Sequence, residues 1–433
     1  MTARLEPHAP HPLALALSGG GDSIALLRLA ADWARGQGRR LLALTVDHGL
    51  SPASTGWAAT AGEAARSVGA DWRGLSWTGP RPATGLPAAA RAARHRLIAD
   101  AARAAGARVI LFAHTADDVA EGEMMRQAGS SLGRLRDWAP SPAWPEGRGL
   151  MLLRPMLDVG RADLRDWLTE QGAAWIEDPA NQDPRFARSR ARAARYGLGP
   201  AGPGDDPPVA PRDTHDSPVP VALGDGVFRI ARAISARALA ATLVCAGGGD
   251  RPPRGDRLER MRDRLRNGES FAAVLCGARV EARPDQVVVC REPGEFARGP
   301  ASALPLAVGA ETVWDGRWSI TAPAPGWRVV PAAGRIAGLS RAERASLDDL
   351  PPAARGARPV LIRNEGNAPV LAGPEFEARS LVEERLALAL DRMTHERDLG
   401  PRAHGATPGK HLFSDADITK TGSAPRFQGP RRE

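Results

Sequence analysis

The stretch LALALSGGGDSIALL, Leu13–Leu27, sets an apolar run on each side of three consecutive glycines, two serines and an aspartate. Glycine inside a regular element costs about 0.5–1 kcal/mol relative to alanine, so three together mark a point where something must approach the backbone closely. The first run has the length of a short buried strand, and the second opens a helical pattern over Ser23–Arg35. Strand, glycine turn and helix in that order aim free backbone N–H groups at an anion on the helix N-terminus. The helix dipole adds about 0.3–2 kcal/mol for a negative charge placed there.

The same alternation continues for some 180 residues. Further strands are expected at Leu41–Val46, Trp72–Trp77, Val109–Ala113 and Leu150–Pro155. Helical patterns separate them at Pro52–Val68, Pro87–Ala105, Ala116–Gln127 and Arg161–Gln171. Such alternation predicts an α/β fold with a Rossmann-like parallel sheet and helices on both faces, whose loops at the strand ends carry the chemistry. This unit is expected to span residues 1–202. Pro203–Pro220, rich in proline and aspartate and without periodicity, reads as a linker. Smaller α+β units are expected beyond it. Residues 221–295 carry helical patterns at Ala233–Cys245 and Arg257–Arg266 and strands at Phe271–Leu275 and Gln286–Arg291. Residues 296–374 are strand-rich, and 375–433 combine a helix over Glu375–Arg392 with a polar tail that reads as disordered.

Composition narrows the partners. The formal charge of +8 favours a polyanion such as nucleic acid. A blander source competes, since Lys410 and Lys420 are the only lysines and arginine, alanine, glycine and proline abound as a GC-rich genome would write them. Cys245, Cys276 and Cys290 lie apart with no CxxC pair, which argues against a disulfide framework, a zinc site or an iron–sulfur site. No stretch reads as a signal peptide or a membrane span, so a cytoplasmic protein with no membrane partner is expected.

In the opening loop, Gly19, Gly20 and Gly21 let the backbone wrap phosphate oxygens, and Ser18 and Ser23 supply hydroxyls. Asp22 would repel phosphate unless a magnesium ion sat between them. No Gly-Lys-Ser/Thr of the Walker type and no GxGxxG is present there. After the second strand, VDHGLSP puts Asp47 and His48 where a nucleotide's base or ribose lies in this architecture. The competing reading is that Ser51 and Pro52 only launch the next helix. After the fourth strand, FAHTADDVAEGEMM carries His114 at the strand end, with Asp117, Asp118 and Glu121 in the first turns of a helix. Asp117 and Glu121, four apart, share one face. The dipole favours such acids anyway, but three beside a strand-end histidine exceed what capping requires. They are candidates for holding a metal and removing a proton.

SGGGDS resembles the SGGxDS loop of the PP-loop ATP pyrophosphatases, which cleave ATP between the α- and β-phosphates. AHTADDVAE is similar to the HxxDDxxET motif of the tRNA(Ile)-lysidine synthetases, VDHGLSP to their VDHGLRP segment, and Glu177–Arg192 to their DPSNxDxxFxRNxxR stretch. Val274–Glu292 resembles part of that family's middle domain. The resemblance covers residues 13–292 and continues more loosely to about residue 372. The chain departs from the pattern at Val119, Gly122 and Ser189. The resemblance implies a PP-loop adenylation domain in 1–202 and a substrate-recognition domain in 221–295.

The implied reaction uses ATP to adenylate C2 of the wobble cytidine in a tRNA(Ile) with a CAU anticodon. Free L-lysine then displaces AMP to form lysidine. Asp22 and Asp117 would hold Mg2+, and Glu121 or Asp118 would take the lysine proton. Arg94, Arg188 and Arg192 lead the candidates for RNA contact, within the clusters Arg91–Arg96 and Arg185–Arg195. A homodimer is compatible with the resemblance. Three other readings stay open: a PP-loop tRNA thiolase, which would want cysteines in the first half; a small-molecule amidating ligase; and an RNA-binding protein with a decayed ATP site.

Overall fold

The computed structural model describes residues 3–130, 133–177, 191, 218–297, 303–363 and 368–400. The first unit is a six-stranded sheet. Its strands are β1 (Leu13–Ala16), β2 (Leu41–Asp47), β3 (Asp71–Ser76), β4 (Val109–Leu111), β5 (Trp138–Pro140) and β6 (Met151–Leu153). The spatial order is β3-β2-β1-β4-β6-β5, parallel except that β5 runs against β6. Helices α1 (Gly21–Gly36), α2 (Ser54–Ser67), α3 (Leu86–Ala104), α4 (Ala116–Gln127) and α5 (Arg161–Glu170) connect and follow the strands.

The apolar run of β1 is explained by burial on both faces. Leu13, Leu15 and Leu17 enter one core with Ile24, Leu27 and Leu164, whereas Ala14 between them enters a second with Leu42, Ile110 and Leu152. Alternate side chains thus feed opposite faces, as strand geometry dictates. From β1 the chain steps to β2 and β3 on one side, then crosses to β4 on the other. The reversal opens a crevice at the carboxyl ends of β1 and β4, where ligands of such sheets bind. β5 was not expected from the sequence. It is three residues long, ends in Pro140 and lies at the sheet edge, where proline is tolerated.

A second sheet contains β7 (Val221–Gly224), β8 (Val227–Ile230), β9 (Phe271–Leu275), β10 (Ala278–Ala282) and β11 (Val287–Arg291). Its order is β7-β8-β11-β10-β9, all antiparallel, with α6 (Ala236–Gly247) on one face and α7 (Arg257–Arg266) against α6. Two small antiparallel sheets follow. One joins β12 (Leu304–Pro305), β15 (Arg328–Pro331), β16 (Pro359–Ile362) and β17 (Val370–Leu371); the other joins β13 (Glu311–Trp314), β14 (Trp318–Thr321) and β18 (Arg379–Ser380). Helices α8 (Arg341–Ser346) and α9 (Pro352–Arg355) lie between β15 and β16.

The helix expected over Glu375–Arg392 is interrupted. Glu377 takes a left-handed conformation at φ 45°, Arg379–Ser380 pair with β14, and only α10 (Val382–Ala389) is α-helical. After α10 the chain returns to the first unit. Asp391 pairs with both Arg136 and Arg237, at 2.7 and 2.5 Å, which joins the first and second units at one carboxylate. The Arg39 guanidinium donates two bonds to Glu396, at 2.8 and 2.9 Å, with side chains 0% and 1% exposed. The Glu6 amide completes the Glu396 carboxylate at 2.9 Å. No helix among the described residues is long and apolar enough to cross a membrane. All three cysteines are free thiols, with Cys245 and Cys290 buried.

Candidate active site at the sheet's switch point

The glycine loop leaves β1 directly into the crevice. Gly19 sits at φ +85°, which side-chain-bearing residues rarely adopt, and a Cβ there would stand 2.5 Å from Ile176 Cδ1. The Gly19 carbonyl accepts from the Ile176 amide at 2.9 Å, and the Trp175 ring lies against Gly21. The loop is therefore held from behind by the segment that follows α5. Gly20 caps α1 with no side chain in the way, and the amides of Gly21 and Asp22 belong to the first turn, ahead of any intrahelical acceptor. Ser23 Oγ donates to the Gly20 carbonyl at 2.8 Å, and Ser18 Oγ donates to Ser23 Oγ at 3.1 Å. Both hydroxyl protons are thus turned into the loop, and the backbone amides remain as its anion donors.

The acids converge on a residue that sequence reasoning overlooked. Arg161, the first residue of α5, is 7% exposed at its side chain. Its Nε donates to Asp22 Oδ2 at 3.1 Å and its Nη1 to Glu121 Oε1 at 3.0 Å, while Nη2 lies 3.5 Å from Asp118 Oδ1. Its backbone amide donates to Asp117 Oδ2 at 2.7 Å. Burial works against the guanidinium charge, yet Asp22, Asp118 and Glu121 together lift its pKa above the ordinary arginine value. Burial likewise lifts the Asp22 pKa, with Arg161 pulling it down and Asp118 adding to the rise. One signal was available in the sequence: arginine in a helix's first turn opposes the dipole, so its presence at Arg161 needs a compensating anion.

The two aspartates of α4 divide their work. Asp118 Oδ2 accepts from the Thr115 amide at 2.9 Å and the Thr115 hydroxyl at 3.2 Å, forming the capping box of α4. Asp117 serves the start of α5 through the Arg161 amide. Glu121 is 1% exposed at its side chain and faces the guanidinium.

His114 follows β4. Its Nδ1 accepts from Arg154 Nε at 3.1 Å, and its ring stacks on Phe112 with centroids 6.0 Å apart. Across the loop after β2, the Asp47 carboxylate accepts from the Gly49 amide at 2.7 Å and the Thr55 hydroxyl at 3.0 Å. Burial would raise the Asp47 pKa, but the bonds from Gly49, Ser54 and Thr55 bring it below the usual value. Asp47 therefore shapes the turn and anchors the start of α2. His48 packs edge-on to Trp77, and burial, with Arg94 nearby, holds its pKa down. The charge of Arg94, on α3, acts on both His48 and His95; burial first, then Arg91 and Arg94, drives the His95 pKa to about 3. Arg188 and Arg192 lie outside the described residues.

A magnesium ion bound with nucleotide needs one or two carboxylates, with phosphate and water filling the rest. Asp22 fits that requirement, being an acid of the first turn beside the loop amides. The Asp117 oxygen that receives the Arg161 amide is turned toward α5. Among the described residues, no group of three or more His, Cys, Asp or Glu is arranged to hold a metal by itself.

A strand, a glycine loop and a helix N-terminus at the switch point of a parallel sheet, with an acidic α4 alongside, define a PP-loop nucleotide-binding domain; a family model of the PP-loop domain matches residues 1–195. Relatives match over longer spans. A tRNA(Ile)-lysidine synthase of Caulobacter vibrioides is 49% identical across 91% of this chain and 96% of its own. Those of Hyphomonas neptunium and Mesorhizobium japonicum are 34% and 33% identical, across 68% and 88% of this chain and 85% and 90% of theirs. The chain belongs to the tRNA(Ile)-lysidine synthase family.

Proposed function

We propose that this chain is a tRNA-modifying ligase that uses ATP to activate C2 of the wobble cytidine of CAU-anticodon tRNA(Ile) and then joins free L-lysine to it. One observation carries the reading: Asp22, at the end of the glycine loop, and Asp118 and Glu121 of α4 meet around Arg161. The cytidine O2 attacks the α-phosphorus, and the bond to the β-phosphate breaks to release pyrophosphate. The lysine ε-amine then attacks C2, and AMP leaves with the former carbonyl oxygen. Adenylation turns a poor leaving group into a good one.

In this reading the loop amides of Gly19–Asp22 receive the phosphates, and Asp22, an acid of the first turn of α1, would hold Mg2+. When bound, Mg2+ supplies charge neutralisation for the departing pyrophosphate. A free lysine amine has a pKa of about 10.4, so deprotonating it at pH 7 costs about 4.6 kcal/mol. An acid positioned to take that proton contributes about 10²–10⁴ in rate. Of the two acids, Asp118 is tied to Thr115 through two bonds and Glu121 to Arg161 through one, which makes Glu121 the first candidate for this work. Residues 1–202 serve as the adenylation domain and 221–295 help recognise the tRNA. Arg94, Arg188 and Arg192 are the first candidates for RNA contact, and the wobble base must be splayed from its stack to reach the crevice.

The test incubates the full chain with radiolabelled lysine, ATP, Mg2+ and bulk tRNA. Label in one tRNA species that survives mild alkali supports ligation, because an aminoacyl ester would be hydrolysed. Lysine-independent AMP release with ammonia, and no label in tRNA, would sink this reading in favour of a small-molecule ligase.

A further inference from the structure

We propose that Arg154 is the positioning residue that fixes His114 as a neutral, Nε2-protonated hydrogen-bond donor at the nucleotide crevice. The proposal rests on the adenylation reading for its chemistry, but its geometry stands by itself. Arg154 follows β6, the neighbour of β4 in the sheet, so it emerges at the same carboxyl edge as His114. Its guanidinium is held at two points. Nη1 donates to the Arg136 carbonyl at 2.8 Å, and Nε donates to His114 Nδ1 at 3.1 Å. The Arg154 amide is itself held by the Asp137 carbonyl at 2.8 Å. Arg154 is 7% exposed.

An arginine has no lone pair to offer, so the nitrogen it faces must be the acceptor. His114 Nδ1 therefore carries no proton, and the ring's one N–H is on Nε2, across the ring from Arg154. The ring plane is fixed independently. His95, Phe112 and His114 form a ladder with centroids 5.2 and 6.0 Å apart and interplanar angles of 24° and 15°. Flipping the imidazole within that ladder would put a carbon against Arg154 Nε and lose the bond. The His114 amide also donates to the Phe112 carbonyl at 3.0 Å, which pins the backbone as the chain leaves β4.

Burying this arginine is costly. Burial first, then Arg91 and Arg136, brings its pKa down to about 10, with Asp137 opposing. The Arg154 side-chain bonds go to the Arg136 carbonyl and to His114 Nδ1, and holding the imidazole is the task that its burial serves. A neutral N–H donor suits a nucleotide site, because it can bond to an α-phosphate oxygen without drawing a carboxylate into a salt bridge. The negative charge on that oxygen grows as the cytidine O2 attacks and again as AMP departs. No proton leaves the ring in either step.

The test labels histidine rings with ¹⁵N in the full chain and reads long-range ¹⁵N–¹H correlations, with His114→Asn to assign the signals. The expected wild-type pattern is an unprotonated Nδ1 and a protonated Nε2. In Arg154→Met the pattern averages between tautomers, and Arg154→Lys restores part of the bias. For the reaction, AMP release by Arg154→Met should fall about 10- to 100-fold in kcat, with KM for ATP within about threefold of the parent. A wild-type His114 protonated on Nδ1, or an Arg154→Met spectrum unchanged from the parent, would overturn the proposal. The spectrum needs neither lysine nor tRNA. A fixed tautomer in a chain that forms no lysidine therefore counts against the functional reading alone.

Discussion

Arg161 is the most exacting place to perturb the molecule. Arg161→Met keeps much of the side-chain volume and removes the charge that Asp22, Asp118 and Glu121 share at 3.1, 3.5 and 3.0 Å. Removing one partner of a buried ion pair costs about 3–5 kcal/mol, because the other charge is left without compensation. Here three acids lose one cation, so a loss in the upper half of that range is expected, against a total stability on the order of 5–15 kcal/mol. The sign of the pH dependence follows from the direction of the Asp22 shift. Burial already holds its pKa above 3.8 with Arg161 in place, and removing the arginine lifts it further. A carboxyl with a raised folded pKa gives its full stability below the unfolded value and loses it as pH rises through the folded one. The variant should therefore be most destabilised at pH 8 and approach the parent toward pH 4. Urea unfolding at several pH values measures this gap. A gap below about 1 kcal/mol at pH 7.5, or one that widens as pH falls, would refute the account. Adding Glu121→Leu to Arg161→Met should recover part of the loss.

Other expectations follow from the same geometry. Gly19→Ala should weaken ATP binding at least about tenfold by titration calorimetry, and adding Ile176→Ala should not rescue it, since the strain at φ +85° costs about 1–3 kcal/mol on its own. Glu396→Leu should cost about 3–5 kcal/mol in denaturant unfolding, with Arg39→Met/Glu396→Leu recovering most of it. Burial opposes ionisation of Glu311, but its bonds to Arg148 and Ser319 and the nearby Arg103 bring its pKa to about 2. The stability it contributes should therefore be present above pH 4.5 and be lost as pH falls toward 2, so the gap between Glu311→Gln and the parent should close over that interval.

The glycine loop was legible because its signal is local. Strand, glycines and helix lie within fifteen consecutive residues, and only a left-handed turn against a helix start needs them. The acids of α4 were legible as a cluster for the same reason, but their individual tasks were not. Asp118 caps its own helix through the local Thr115–Asp118 pair, whereas the cap of α5 by Asp117 depends on where a second helix begins in space, 44 residues on. Arg161 was missed because its partner Asp22 lies 139 residues away, and Arg154 because 40 residues separate it from His114. The helix expected over Glu375–Arg392 failed for a related reason. Its local pattern was sound, but pairing with β14 and the turn at Glu377 took the first part of the segment.

The bond between Arg39 and Glu396 bridges 357 positions of sequence. On the ribosome, the first sheet can assemble long before its arginine's counterion has been translated. Until then Arg39 must stay hydrated, so the nascent sheet keeps one open end beside Glu6 and His11, at the start of β2. Sealing of that end becomes a late event of synthesis, and premature chain termination anywhere before residue 396 leaves a cation where the finished molecule is dry.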